Sequence, residues 1–286
     1  MPAPVPAPRR AIGWTCAAFG TTICAVKFSI VTPSFNQGRF IRDCIESVRA
    51  QTDVTWEHII VDAGSTDETL AVLREYPHLR WTSEPDKGQS DAINKGFLRA
   101  TGDWVMWLNA DDYLLPGALG KVAAAATRWP ETDVLYGECV FVDKDKRLLR
   151  RKRDHRFDFG ILVFYGCYIP STATFLRRRI IEAGELLDLN YRVCMDFEYY
   201  VRLAMRGYHF RHLPEALAAF RWHESNVSAT LEQRRRAERL QVQRDYLKQV
   251  GREWLGREWM LDALARVYQV KRLLLRAVGP AAPTPA

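Results

Sequence analysis

No CxxC pair occurs among the six cysteines, Cys16, Cys24, Cys44, Cys139, Cys167 and Cys194, which are scattered singly. That spacing excludes a zinc ribbon and a dense disulfide framework, and it makes a reducing, cytoplasmic compartment the expected one. No GxxxxGK[ST] loop is present and no GxGxxG follows the first apolar run, which removes the P-loop and the dinucleotide fingerprint. No GxSxG occurs, so Ser-His-Asp hydrolysis lacks its nucleophile elbow. Charge is missing from the sixteen residues Ala11 to Val26, a run too short to span a bilayer comfortably. A long Pro-rich lead, MPAPVPAPRR, precedes that run and no convincing small-residue cleavage site follows, which argues against a signal peptide. Residues 1–26 read as an extension or an over-extended start, because a complete domain begins at Lys27.

The 286 residues are 48% hydrophobic and 26% charged, enough to bury a real core. The net charge of +7 is uneven, since residues 229–286 hold twelve Lys or Arg against six Asp or Glu. The rest of the chain is close to neutral and gives no electrostatic reason to expect nucleic acid.

Phe28-Ser29-Ile30-Val31 reads as a buried strand stopped at Thr32-Pro33-Ser34, and Ile41, Ile45 and Val48 share one face of a following helix. Trp56 to Val61 repeats the strand and ends at Asp62; a helix runs from about Glu68 to Tyr76, capped by Thr66 or Asp67. Leu79 to Thr82 is a weaker strand, and a helix from Asp91 to Ala100 follows the loop around Lys87. Trp104 to Leu108 is a fourth strand. Strands alternating with helices through short connections predict an α/β fold with a mostly parallel sheet covered on both faces. In such sheets ligands sit beyond the carboxyl ends of the strands, where Thr32-Pro33-Ser34, Asp62 and Asp111-Asp112 all fall. Two adjacent carboxylates with no basic residue beside them repel each other unless a cation or a firm set of hydrogen bonds compensates. Carboxylates at such a loop suit a hard divalent ion, Mg²⁺ or Mn²⁺, completed by water and substrate phosphates. Beyond Gly120 the alternation breaks down, and Asp196 to Ala204 reads as a helix that starts with acid.

The stretches FSIVTPSFNQGRFIRDCIESVRAQ, HIIVDAGSTDET, SEPDKGQSDAINKGFLRATGDWVMWLNADD, PSTATFLRR and MDFEYYVRLAMRGY together resemble a family-2 inverting glycosyltransferase of the GT-A fold. The resemblance runs from about Lys27 to Ser228, about seventy per cent of the chain. It implies that Thr32, Pro33 and Ser34 line a nucleotide pocket, that Asp62 meets the base or ribose of a nucleotide-sugar, and that Lys87 and Asp91 flank nucleotide and sugar. The family's DxD metal motif falls on Asn109-Ala110-Asp111, with Asn109 in place of the first Asp and Asp112 next in line. Asp111 is the principal expected ligand of Mn²⁺ or Mg²⁺. The base that takes the acceptor proton matches Asp196, with Glu198 as its rival, since residues two apart do not share a helical face. His223 resembles a late histidine that in some relatives touches metal or diphosphate; the alternative is a purely structural imidazole.

These expectations divide the chain into an extension at 1–26, a nucleotide-sugar half at 27–120, an acceptor and catalytic half at 121–228, and a basic amphipathic helical tail at 229–286. The implied partners are a UDP-, GDP- or dTDP-sugar donor and a glycan or lipid-linked acceptor. For the tail the partner is either an anionic membrane surface at the inner face of the cytoplasmic membrane, or the domain itself or a second copy. A non-catalytic nucleotide-sugar sensor is the reading from another class.

Overall fold

The computed structural model describes residues 26–52, 54–224 and 231–278, so the expected extension lies outside the described residues except at Val26. β1 (Lys27–Ser34) leads through α1 (Gly38–Arg49) to β2 (Thr55–Asp62), then through α2 (Thr69–Arg74) to β3 (Arg80–Ser83), and through α3 (Gln89–Phe97) to β4 (Trp104–Trp107). These four strands pair in parallel in the order β3-β2-β1-β4. Ile41, Ile45 and Val48 of α1 are fully buried, as their spacing requires of a face packed on a sheet. Gly102, between α3 and β4, passes so close to β1 that a Cβ there would lie 2.7 Å from the backbone of Phe28 and Ser29.

β1 does not stop at its proline. Pro33 lies inside the strand opposite Val61, while the ladder to β4 ends at Val31 opposite Trp107. By Pro33 the strand has outrun β4 and is an edge on that side, where a missing N–H can be tolerated.

The second half continues the same sheet. β5 (Tyr113–Leu114), α4 (Ala118–Arg128), β6 (Val134–Val142), β7 (Leu148–Lys152), β8 (Thr174–Arg177), α5 (Arg178–Glu182), α6 (Met195–Met205) and β9 (Phe210–Arg221) follow in chain order. β8 joins β4 antiparallel, β6 joins β8, and β9 lies parallel to β6 and antiparallel to β5. β7 hangs from β6 as a charged hairpin. The nucleotide-sugar and acceptor halves are therefore stretches of one nine-stranded sheet. β9 ends beside the loop after β4, which carries residues of the second half back to the acid pair of the first.

Two helices close the described chain, α7 (Glu232–Gln249) and α8 (Glu258–Val278). Leu240, Val242 and Leu247 of α7 and Leu261 of α8 are buried in the main core. Tyr268 stacks on Phe164 at 5.1 Å, and Lys271 and Arg272 pair with Asp158 and Asp154 at 2.5 and 3.0 Å. Both helices are thus packed on the domain. No helix among the described residues is long and apolar enough to cross a membrane.

Candidate active site

The carboxyl ends of β1 and β4 open into a cleft of about 590 Å³. Pro33, Ser34, Asn109 and Asp111 line it, as do Arg192 and Val193, just before α6, and Met195 and Asp196 at its start. Two buried donors in this cleft, Ser34 Oγ and Trp107 Nε1, have no hydrogen-bond partner among the described residues. Buried polar atoms are rarely left so, and a polar ligand would satisfy them.

The acid loop is braced by an arginine that lies far away in sequence. Arg221, the last residue of β9, is 2% exposed. Its Nε donates to the Asp111 carbonyl at 2.8 Å, its second guanidinium nitrogen to Asp43 at 2.7 Å, and its backbone N–H to Asp112 Oδ1 at 2.9 Å. Asp112 is fully buried, and its other oxygen accepts from Thr172 Oγ1 at 2.9 Å and Asn109 Nδ2 at 3.2 Å. Burial first, then the neighbouring Asp111 charge, push the Asp112 carboxyl well above the ordinary range. Asp112 was expected as a metal ligand; its oxygens are instead engaged in holding the loop, and it does not line the cleft.

Asp111 is placed differently. Its carboxylate lies in the cleft wall and is 3.0 Å from Nε2 of His223, whose ring stacks on Phe40 at 4.9 Å. A carboxylate oxygen and an imidazole nitrogen so close are a donor set that Mn²⁺ accepts, with water and a diphosphate as remaining ligands. Among the described residues no group of three or more His, Cys, Asp or Glu could hold a metal, so the fit is to a site of two protein donors. Asn109, which stands where the motif has an acid, accepts from Gln89 Nε2 at 2.8 Å.

Several expected site residues serve the scaffold of the cleft. Asp62 is fully buried, and its oxygens accept from Gly64 N, Ser65 N, Ser65 Oγ and Ser83 Oγ at 2.5 to 3.1 Å. It fixes the turn that brings Ala63 to the cleft. Thr32 is buried with Oγ1 2.8 Å from Nε2 of His58, an imidazole that burial drives down to about 3 and so keeps neutral. Asp91 accepts the Lys87 N–H at 3.1 Å and pairs with Lys95 at 3.4 Å. Lys87 lines a neighbouring cavity of about 470 Å³, together with Arg192 and Arg234. Asp67 does cap the start of α2, accepting from Thr69 N at 3.0 Å, and also holds the Gly38 N–H of α1 at 2.9 Å.

Of the two candidate bases, Asp196 lines the cleft, while Glu198 is held by Arg202 through two hydrogen bonds of 2.6 and 3.0 Å. Asp196 sits in the first turn of α6, with Oδ1 accepting the Phe197 N–H at 2.8 Å and Oδ2 3.8 Å from Cys167 Sγ. Burial raises its pKa above the ordinary carboxylate value, only partly offset by that N–H. Arg192, Gln89 and Trp107 escaped the sequence reading. Only the position of Gln89, inside the quoted KGQSD loop, could have drawn notice.

The sequence profile of Glycosyl transferase family 2 matches residues 29–185. A PGL/p-HBAD biosynthesis glycosyltransferase of Mycobacterium bovis (strain BCG / Pasteur 1173P2) is 32% identical over 186 residues, 63% of this chain and 70% of that protein. An uncharacterized glycosyltransferase of Nostoc sp. is 27% identical over 226 residues, 73% of this chain and 70% of that protein. Among solved structures, S. aureus TarS 1-349 in complex with UDP-GlcNAc aligns with a TM-score of 0.60 at 18% identity, covering 77% of this chain and 71% of that one. The mannosyltransferase PcManGT from Pyrobaculum calidifontis, in complex with GDP-Man and Mn²⁺, aligns with a TM-score of 0.59 at 17% identity, covering 90% and 76%. At these identities the two structures establish the shared fold.

Replacing Arg221 by Met removes buried guanidinium bonds to Asp43 and to the Asp111 and Lys144 carbonyls, and so unties α1 and the acid loop from the end of β9. Urea unfolding of Arg221→Met is expected to show a loss of about 3 kcal/mol. A change below about 0.5 kcal/mol, the range of an ordinary surface substitution, would show that the acid loop does not rely on it.

Proposed function

Because the chain belongs to glycosyl transferase family 2, we propose that it moves a sugar from a nucleotide-diphospho-sugar to an acceptor hydroxyl with inversion at the anomeric carbon. The observation that carries this reading is that Asp196 and Asp111, a candidate proton acceptor and a candidate metal ligand, line one cleft. The acceptor oxygen attacks the anomeric carbon, the bond from that carbon to the diphosphate breaks, and Asp196 takes the hydroxyl proton. A pKa raised by burial suits the task, since it strengthens the base. Asp111 and His223 would hold Mn²⁺ or Mg²⁺, which when bound supplies positive charge against the departing diphosphate. UDP- and GDP-sugars lead the list of donors, because TarS and PcManGT are seen with UDP-GlcNAc and GDP-Man; dTDP-sugars stay on it.

A lipid-linked acceptor fits the mycobacterial relative, whose name places it in PGL/p-HBAD biosynthesis. It also fits the outer side of the C-terminal helices. Trp254 and, on α8, Trp259, Val267, Val270, Leu273 and Leu274 are 56 to 65% exposed. Arg266 falls in the middle of that α8 stripe by helical spacing. Two copies pairing through the stripe would bring the arginines together, whereas on a lipid surface Arg266 can reach anionic headgroups. We therefore assign the stripe to an anionic membrane surface, in keeping with the excess of basic residues after position 229.

A panel of nucleotide-sugars with Mn²⁺ or chelator, scored for release of nucleoside diphosphate, tests the chemistry. Asp196→Asn is expected to lower kcat by about 10² to 10⁴ with donor affinity retained, as for loss of a general base. Its Tm should not fall, because the ionised carboxylate opposes its own burial. For the wild type, kcat should decline as pH falls through the raised Asp196 pKa, where the base becomes protonated. Donor binding without release, with every acceptor supplied, would instead favour a nucleotide-sugar sensor.

Sedimentation with phosphatidylcholine vesicles, with and without 30% phosphatidylglycerol, tests the membrane surface. Pelleting is expected only with the anionic vesicles, weaker in high salt and lost in Trp259→Ser/Leu274→Ser. No pelleting, with a dimer by light scattering that the double variant dissociates, would give the stripe to a second copy.

A further inference from the structure

The wall that carries Asp196 lies, like α7 that holds it, beyond the residues 29–185 that the family profile matches. Arg192, Val193 and Cys194 precede α6, and Cys194, the residue at its N-terminal cap position, makes no side-chain capping hydrogen bond. The free backbone donors there are met by a side chain of α7. Glu238 Oε1 accepts the Arg192 N–H at 3.0 Å, and Oε2 accepts those of Val193 and Cys194 at 2.8 Å each. Glu238 is 9% exposed, and Arg234, one turn earlier on α7, donates to its Oε1 at 2.6 Å. Two neighbouring contacts join the same pieces: Cys194 Sγ lies 3.4 Å from the Arg235 carbonyl, and the Tyr191 hydroxyl lies 3.3 Å from Asp245 Oδ2.

Three short N–H bonds to one carboxylate leave the segment little freedom, and a carboxylate at a helix N-terminus is favoured by the helix dipole as well. Burial alone would raise the Glu238 pKa, but Arg234 and the three N–H groups bring it below the ordinary value, so the clamp is charged at neutral pH. Arg192, Val193, Met195 and Asp196, all at or next to the clamped segment, line the cleft.

We propose that Glu238 is a positioning residue for Asp196: by holding the 192–194 backbone it fixes where the proton acceptor stands in the cleft. The proposal rests on the reading of Asp196 as the base. It makes α7 a working part of the active site, although α7 lies beyond the family profile and Glu238 does not line the cleft.

The test is a double-mutant cycle in the full-length chain, with the donor that the panel identifies. Glu238→Gln keeps the size but sets an amide group among backbone N–H donors. It is expected to lower kcat about 10- to 100-fold, the scale for a small misplacement of a catalytic group, with KM for the donor within about twofold. Glu238→Asp, which restores the charge on a shorter arm, should recover part of the loss. In the Asp196→Asn background, adding Glu238→Gln should cost nothing further, because the residue it positions no longer acts as a base. Losses that multiply in the double variant, or a Glu238→Gln enzyme with wild-type kcat, would overturn the proposal. If Asp196→Asn itself turned over like the wild type, the reading of the base would fail, a result distinct from either of these. Nucleoside diphosphate binding by each variant verifies that it is folded.

Discussion

The buried guanidinium of Arg221 is the interaction on which the site is built. Isolated, two adjacent carboxylates at the end of an apolar strand would repel each other and lose hydration together. Arg221 reaches the Asp111 carbonyl, Asp43 of α1 and, through its backbone, Asp112, and it also lies over the Phe40 and Tyr113 rings. One side chain thereby joins the first helix, the acid loop and the last strand. Its neighbour two residues on, His223, meets Asp111. The site is therefore structural before it is chemical: β9 must join the sheet before Arg221 can brace the acid loop, and only then is Asp111 held where a donor diphosphate could meet it.

Much of this was legible in the chain. The parallel half of the sheet, the burial face of α1 and the acid at the start of α6 follow from periodicity, strand-end polarity and helix-terminal charge. The engagement of Glu198 was also readable, because Arg202 follows four residues later, the spacing of a helical ion pair. What the sequence could not separate is an acid that meets a ligand from an acid that satisfies a turn. Asp62, Asp91 and Asp112 each stand at a strand or helix end near the cleft. There the backbone exposes N–H groups, and side-chain oxygens are recruited to meet them. The bracing arginine was invisible for another reason: Arg221 is 109 residues from Asp112, and a lone arginine at the end of an apolar strand has no periodic signature.

The C-terminal helices change how the molecule is divided. Read by composition, residues 229–286 are a basic appendage. In the structure α7 and α8 are packed into the core, α7 clamps the segment that leads into Asp196, and α8 turns an apolar stripe outward. A helix pair that touches the catalytic wall on one side and offers tryptophans on the other would couple the position of the enzyme on a surface to the side from which a lipid-linked acceptor arrives. The two roles need different residues, Glu238 inside and Trp259 outside, so each can be removed without the other.

The central claim is a single displacement in which Asp196 removes the acceptor proton as the nucleoside diphosphate leaves. The most direct measurement is the anomeric configuration of the transferred sugar, read by proton NMR from the coupling at the anomeric carbon early in turnover, before mutarotation or hydrolysis. The account predicts a configuration opposite to that of the donor. A product of the same configuration as the donor would contradict it, because retention requires either two displacements or attack from the face of the leaving group.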